Sequence, residues 1–329
     1  MSGPLSHRVD QYLPVTPRHL AIALFVAVAF GMAFVLEGYT LYRFTLAGAY
    51  AIAILGINLL TGLSGQFSIG HGAFFAVGAY AMALTMQDAG LGPYVGLLAA
   101  GVAAFVAGFL FGWPALRLSL VHLALATWAL AVAVPQILKS RHLEPLTGGV
   151  QGIYLDRPPA PFGLALSDDQ WWHLVTLVML LLLIWLAGNL MRGRVGRALK
   201  AIRDNDIAAA PMGINVAVYK TIIFGVGAAY AGVAGGIVAL LTDYIAPDSY
   251  TLFFAIMLLV GAVAGGLNSV WGAVFGGLLV QFLPDLSAST SAALSLPAQG
   301  VILILIVYLL PAGFAGAVMR WLPLLGPRR

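Results

Sequence analysis

Apolar residues run along this chain in long blocks broken by short polar stretches, a pattern that predicts helices long enough to cross a membrane. Ten blocks stand out: Leu20–Leu36, Tyr42–Leu60, Gly72–Met86, Tyr94–Trp113, Leu118–Leu138, Trp171–Met191, Thr221–Leu241, Leu252–Leu267, Val270–Leu283 and Gln299–Val318. Most approach the roughly 20 residues that span a hydrocarbon layer of about 30 Å. The third, eighth and ninth are short. Broken backbone facing lipid is too costly, so these three are expected to be sheltered by neighbours or partly re-entrant. The predicted fold class is an all-α polytopic membrane protein of about ten transmembrane helices, within a range of roughly eight to eleven.

Composition agrees. Of 329 residues, 61% are hydrophobic and 9% charged, too few polar side chains to cover a water-soluble globule, which excludes a soluble enzyme. There is no cysteine, hence no disulfide framework, thiolate metal site or cysteine nucleophile. The net charge of +4 is unevenly placed. With the N-terminus cytoplasmic, twelve Lys and Arg side chains fall inside and only Arg43, Lys139, Arg141 and Arg157 fall outside, as basic retention on the cytoplasmic side requires. This orientation explains the basic residues better than a nucleic-acid partner does. An even number of spans keeps Arg320, Arg328 and Arg329 inside, so both termini are expected to be cytoplasmic. The segment before the first block lacks an Ala-x-Ala-like cleavage site and is read as a retained tail. The expected organisation is a tail over 1–19, a transmembrane domain over 20–319 with an outer loop at 139–170 and an inner loop at 192–220, and a tail over 320–329.

The expected hydrocarbon layer holds no Asp, Glu, Lys or Arg, and its clear titratable candidates are His71 and His122. Ion-coupled carriers place charged groups at the midplane, so this absence argues against a secondary, ion-driven mechanism. Four Gly-x-x-x-Gly pairs, Gly108/Gly112, Gly232/Gly236, Gly261/Gly265 and Gly272/Gly276, let helix backbones approach closely. The run Asn58 to Phe74 differs from the rest: glycines, Ser64, Ser68, Thr61, Asn58, Gln66 and His71 interrupt an otherwise apolar sequence. Glycine permits unwinding, and amides and hydroxyls can satisfy freed peptide groups or a polar solute, the device of broken helices beside a transport path. A polar turn between helices is the other reading. Gly266 to Phe275, with Asn268 and Ser269, echoes this run and suggests an internal repeat. Asn58, Ser64, Gln66, Ser68, His71, Asn268 and Ser269 are therefore the path candidates.

In the inner loop Val195, Ala198, Leu199 and Ile202 form one apolar helix stripe beside Arg197, Lys200 and Arg203, and Pro211 and Gly213 end the pattern. Such a helix lies on anionic lipid or docks a cytoplasmic partner. No Gly-x-x-x-x-Gly-Lys-[Ser/Thr] loop, His-Glu-x-x-His pair or Gly-x-Ser-x-Gly elbow occurs, so any energy input comes through another subunit.

Taken together, GLSGQFSIGHGAFFAVG at 62–78, LTGGVQGI at 146–153, GRALKAIRDNDIAAAPMGIN at 196–215, YIAPDSY at 244–250 and GGLNSVWGAVFG at 265–276 resemble the permease subunits of branched-chain amino acid ABC importers, the longer of their two types. The likeness runs from about Ala47 to Gly276. It implies an ABC importer permease fold in the plasma (inner) membrane, working with a second and often different permease, two cytoplasmic ATPases and an extracytoplasmic solute-binding protein. It implies no cofactor in this chain, with ATP and Mg held by the ATPases. By the same resemblance Val195, Arg197, Leu199, Ile202, Arg203, Asp204, Asp206 and Gly213 match the loop that couples ATPase closure to the membrane helices, the apolar stripe entering an ATPase groove. Thr147, Gly148, Gly149 and Gln151 would meet the binding protein. The implied solutes are branched-chain or other hydrophobic amino acids, with urea and short amides as the alternative. Two departures stand out: Val134-Pro135-Gln136 where a charged residue is expected, and Gln151 where Asn is usual. From other classes, a passive channel for a small neutral solute fits the uncharged spans, and a lipid-linked enzyme would have to rely on His71.

Overall fold

A computed structural model describes residues 17–115, 120–161, 165–267, 269–288, 295–310 and 313–321. The chain is an all-α polytopic membrane protein. Its helices are α1 (Pro17–Val35), α2 (Gly38–Ile57), α3 (His71–Gln87), α4 (Pro93–Ala115), α5 (Leu120–Leu138), α6 (Glu144–Thr147), α7 (Asp168–Arg192), α8 (Arg194–Asp204), α9 (Asp206–Ala209), α10 (Val216–Thr242), α11 (Leu252–Gly265), α12 (Val270–Ala288), α13 (Ser295–Leu309) and α14 (Gly313–Trp321). A π-helical turn, Asn58–Leu63, extends α2. The two short strands β1 (Ile153–Tyr154) and β2 (Tyr244–Ile245) pair antiparallel, Ile153 opposite Ile245.

A helix forms at each of the ten apolar blocks, and among the described residues five helices are long and apolar enough to cross a membrane on length and composition alone. The tenth block is two helices rather than one. Leu309 ends α13, and Gly313, at φ +71°, begins α14 against the backbone of Gly265 and Gly266. A side chain at Gly313 would collide there, which is why the chain turns at that residue. Of the short blocks, α11 has 14 residues, about 21 Å at 1.5 Å per residue, whereas α12 continues through Pro284 to 19 residues.

Burial sorts the helices. The membrane-crossing windows of α2 and α10 are each 83% buried, and those of α5 and α7 only 22% and 28%. The two central helices pack on each other, with α3 and α4 against α10, and α7 and α12 against α2. Small residues make this possible. At Gly56 a Cβ would stand 2.5 Å from the Gly227 carbonyl oxygen, and at Gly78 it would stand 2.5 Å from Gly232 C. Backbones touching this closely gain dispersion contact where lipid offers no hydrophobic drive between helices. The Gly-x-x-x-Gly pairs line these helix contacts: Gly108, Gly232 and Gly236 are tight between α4 and α10, where Gly112 only touches the Phe224 side chain at 3.4 Å, and Gly261, Gly265, Gly272 and Gly276 are tight between α11 and α12.

α7, about 37 Å long, separates the two extramembrane segments, so the loop before it and α8 after it lie at opposite ends. Its start is set by a capping box in which Ser167 accepts from Gln170 N and Gln170 answers to Ser167 N. The end bearing Arg192, Arg194, Arg197, Lys200, Arg203 and Lys220 is here the basic end. The other, with Asp168, Asp169, Asp243 and Asp248, is the acidic end.

Candidate functional site

The polar run after Asn58 folds into a joint at the basic end. In the π-helical turn one extra residue per turn loosens the end of α2. Gly65 to Gly70 then leaves helical conformation, with Gly65 at φ +69°, before α3 starts at His71. The joint lies within the depth of the bundle. Ile69 N–H donates to Thr127 Oγ1 at 3.1 Å, and Thr127 is the eighth residue of α5. α3 therefore begins about 10 Å along α5, which accounts for the shortness of its apolar block.

Side chains of the joint tie separate segments together. Asn58 Nδ2 donates to the carbonyls of Ser269 (3.1 Å) and Gly266 (3.4 Å), so the two related motifs meet in space. Gln66 Nε2 donates to Lys220 O at 3.3 Å, at the start of α10. Ser64 Oγ donates to Leu60 O, and Ser68 Oγ accepts from Gly70 N. All four side chains, with His71, are buried. The His71 ring lies against Gly227 and edge-on to Phe74. Buried polar atoms without a hydrogen-bond partner among the described residues concentrate here: Asn58 Oδ1, Thr61 Oγ1, Gln66 Oε1 and both His71 nitrogens. An unsatisfied buried group costs about 1–3 kcal/mol, so this is the least satisfied stretch of the core among the described residues. Asn268 lies outside the described residues. His122 is exposed near the start of α5.

The loop between α7 and α10 covers this joint. Arg203 donates to Gly62 O, joining α8 to the π-helical turn. The apolar stripe is split: Val195 is exposed, whereas Leu199 and Ile202 do not face outward as the docking into an ATPase groove implied by the resemblance would place them. Leu199 is 0% exposed and Ile202 3%, both turned onto the membrane helices, because a helix held flat against the bundle buries its apolar face there first. α8 also ends at Asp204, seven residues before Pro211, since the Asn205 side chain accepts from Ile207 N and Ala208 N and caps the next turn. Outward instead are Val195, Arg194, Arg197, Lys200, Arg203, Asp204 and Asp206, followed by Ile207 (82% exposed), Met212 (83%) and Gly213. Ile207 and Met212 were not among the expected residues. The only signal for them is an apolar side chain beside Asp206 and another between Pro211 and Gly213, off the helical stripe. Lys220 pairs with Asp206 at 3.2 Å.

At the acidic end, Gly148, Gly149 and Gly152 all have positive φ, and the turn they build packs on β2. Thr147 and Gly149 are buried, and Thr147 Oγ1 is 2.7 Å from Leu138 O, so these two expected contact residues build the turn rather than present themselves. Gln151, Val150 and Tyr154 face outward, and the Gln151 carbonyl accepts from Tyr244 Oη at 2.8 Å. No group of three or more metal-ligating side chains occurs among the described residues.

Residues 39–311 match the family model described as branched-chain amino acid transport system / permease component. The chain is similar to the high-affinity branched-chain amino acid transport system permease protein LivM of Escherichia coli K12, 31% identical over 287 residues that span 80% of this chain and 67% of that protein. It is also similar to the permease protein LivH of the same strain, 29% identical over 304 residues, 83% of this chain and 92% of that protein. The permease protein BraD of Pseudomonas aeruginosa is 26% identical over 255 residues, 72% of this chain and 81% of that protein. No solved structure matches.

Proposed function

This chain belongs to the permease components of branched-chain amino acid transport systems, and from that premise we propose that it forms, with a second permease, the membrane route of an ATP-driven importer. The proposed solutes are branched-chain or other hydrophobic amino acids. The proposed setting is the plasma membrane, with both termini and the basic end cytoplasmic, the side on which Lys and Arg are retained. The domains then read as tails over 1–19 and 320–329 around a permease domain over 20–319.

One observation carries the mechanism: the surface loop 193–215 is fastened to the polar joint through Arg203, and Gln66 of that joint holds the start of α10, while the loop exposes Ile207 and Met212 as well as Arg194, Arg197 and Lys200. In this reading the outer face receives the ATPases, which hold ATP and Mg. Movement of the loop pulls on Gly62 through Arg203 and on Gln66 through the Lys220 carbonyl. Asn58, Ser64, Gln66, Ser68 and His71, buried in the conformation described, then line the basic end of the route together with Asn268 and Ser269. Their uncharged polar groups solvate a zwitterion weakly and let it leave. Tight binding belongs to an extracytoplasmic binding protein that meets the acidic end at Gln151, Val150 and Tyr154.

The test is purification of the tagged chain from membranes with whatever it holds, followed by uptake in liposomes. Recovery of a second permease and an ATPase, with uptake of leucine that needs binding protein and ATP, is the expected result. Solute passage by this chain alone without ATP would instead establish a channel, and uptake of urea or a short amide in place of leucine would correct the solute.

A further inference from the structure

The two helices that flank loop 193–215 are fastened to each other at the end farthest from it. Arg157, in the loop before α7, uses its whole guanidinium for this. Nη1 donates to Asp169 Oδ1 (2.6 Å) in the first turn of α7. Nη2 donates to Leu241 O (2.7 Å) and Asp243 Oδ2 (3.0 Å), and Nε lies 3.2 Å from both Leu240 O and Asp243 Oδ1, all at the last turn of α10. Two carbonyls left open by the end of α10 are thus satisfied by a cation, where the helix dipole also favours one. Burial alone would lower the guanidinium pKa, but the hydrogen bonds and charges of Asp243 and Asp169 outweigh it and raise it. The group stays charged, and its planar fork reaches five acceptors on two helices, which an ammonium cannot do.

Elsewhere α7 and α10 are joined sparingly. Midway, Tyr230 Oη donates to Leu183 O at 2.9 Å, and at the basic end the chain between them forms loop 193–215. The other fixed cations of the acidic end, Lys139 on Asp248 and Arg43 on Asp285, bind different helices. We infer that Arg157 is a positioning residue for transport: it holds the acidic ends of α7 and α10 together as a fulcrum, so that displacement of loop 193–215 swings their basic ends apart instead of sliding one helix along the other. This inference rests on the reading that the loop receives the ATPase movement.

The test uses the absence of native cysteine. Pairs of spin labels are placed at Leu174 and Thr242 for the acidic end and at Asn189 and Val218 for the basic end, in the complex purified from membranes. The expected result is a narrow acidic-end distance that stays constant across nucleotide states, with a basic-end distance that shifts. Arg157→Lys, which keeps the charge and loses the fork, should broaden the acidic-end distance. It should also lower solute transported per ATP hydrolysed by roughly 2- to 30-fold, the usual range for a coupling residue, with the half-saturating solute concentration unchanged. Should Arg157→Ala fail to fold, Arg157→Lys still decides the matter. Acidic-end and basic-end distances that move equally in the unmodified protein would overturn the inference. So would an Arg157→Lys protein with unchanged distances and stoichiometry. If no ATPase is recovered, the proposed function fails separately, and the acidic-end distance with and without Arg157→Lys still reports whether the clamp holds.

Discussion

Two glutamate substitutions eight residues apart should have opposite consequences. Leu199 is buried against the membrane helices, whereas Ile207 stands in solvent on the same loop. Leu199→Glu forfeits about 1.5–3 kcal/mol of apolar burial and forces a carboxylate into a buried position, which costs several kcal/mol more. A total of about 4 kcal/mol or more shifts the folded fraction by roughly a thousandfold. The expected result is a chain that loses its monodisperse peak on size exclusion in detergent and melts far below the unmodified protein. Ile207→Glu touches nothing buried, so its effect on stability should stay within about 0.5 kcal/mol. If Ile207 enters an ATPase surface, that surface loses roughly 1.5–3 kcal/mol, and association weakens about 10- to 150-fold. Thermal unfolding of the purified chain and titration of the co-purified ATPase separate the two effects. A stable Leu199→Glu chain that no longer binds ATPase, beside an Ile207→Glu chain that binds normally, would refute the inward placement of the stripe.

Other expectations follow from the packing. Gly78→Ala puts a Cβ into the backbone of Gly232 and should lower stability by about 1–3 kcal/mol, while Gly188→Ala, with open space around it, should be neutral or raise stability by up to about 1 kcal/mol; melting temperatures of the two variants decide this. Thr127→Val removes the acceptor for Ile69 N–H and should cost about 1–2 kcal/mol, with amide exchange at Ile69 accelerating and Thr127→Ser restoring it. Cysteines introduced at Ser64 and Gln66 should resist a water-soluble thiol reagent in the resting complex and react when ATP is cycling; equal reactivity in both states would show that the joint does not open.

The amino-acid sequence by itself determined the class of molecule. Long apolar blocks with so few charges mark a polytopic helical membrane protein, since in hydrocarbon each peptide group must find its partner within its own helix. It also showed where the helix pattern breaks, because Gly62, Gly65 and Gly70 with Ser64, Gln66 and Ser68 cannot continue an apolar span. The family was legible in the same residues. Which way a side chain points was not. Leu199 and Ile202 carry one clear stripe, but periodicity records only that one face is apolar, and two surfaces competed for it: a partner's groove and the chain's own α7, α10 and π-helical turn. The intramolecular surface, held in place by the same chain, is the one Leu199 and Ile202 cover here. Thr147 and Gly149 show the same limit, being spent on a turn whose left-handed glycines and packing on β2 exist only once residues 152 and 245 have been brought together. The pairing of Asn58 with Ser269, and of Arg157 with Asp169 and Asp243, joins positions far apart in the chain. No local pattern encodes such contacts, so only the tertiary structure decided that the polar run is a buried joint and that one arginine ties two helices together.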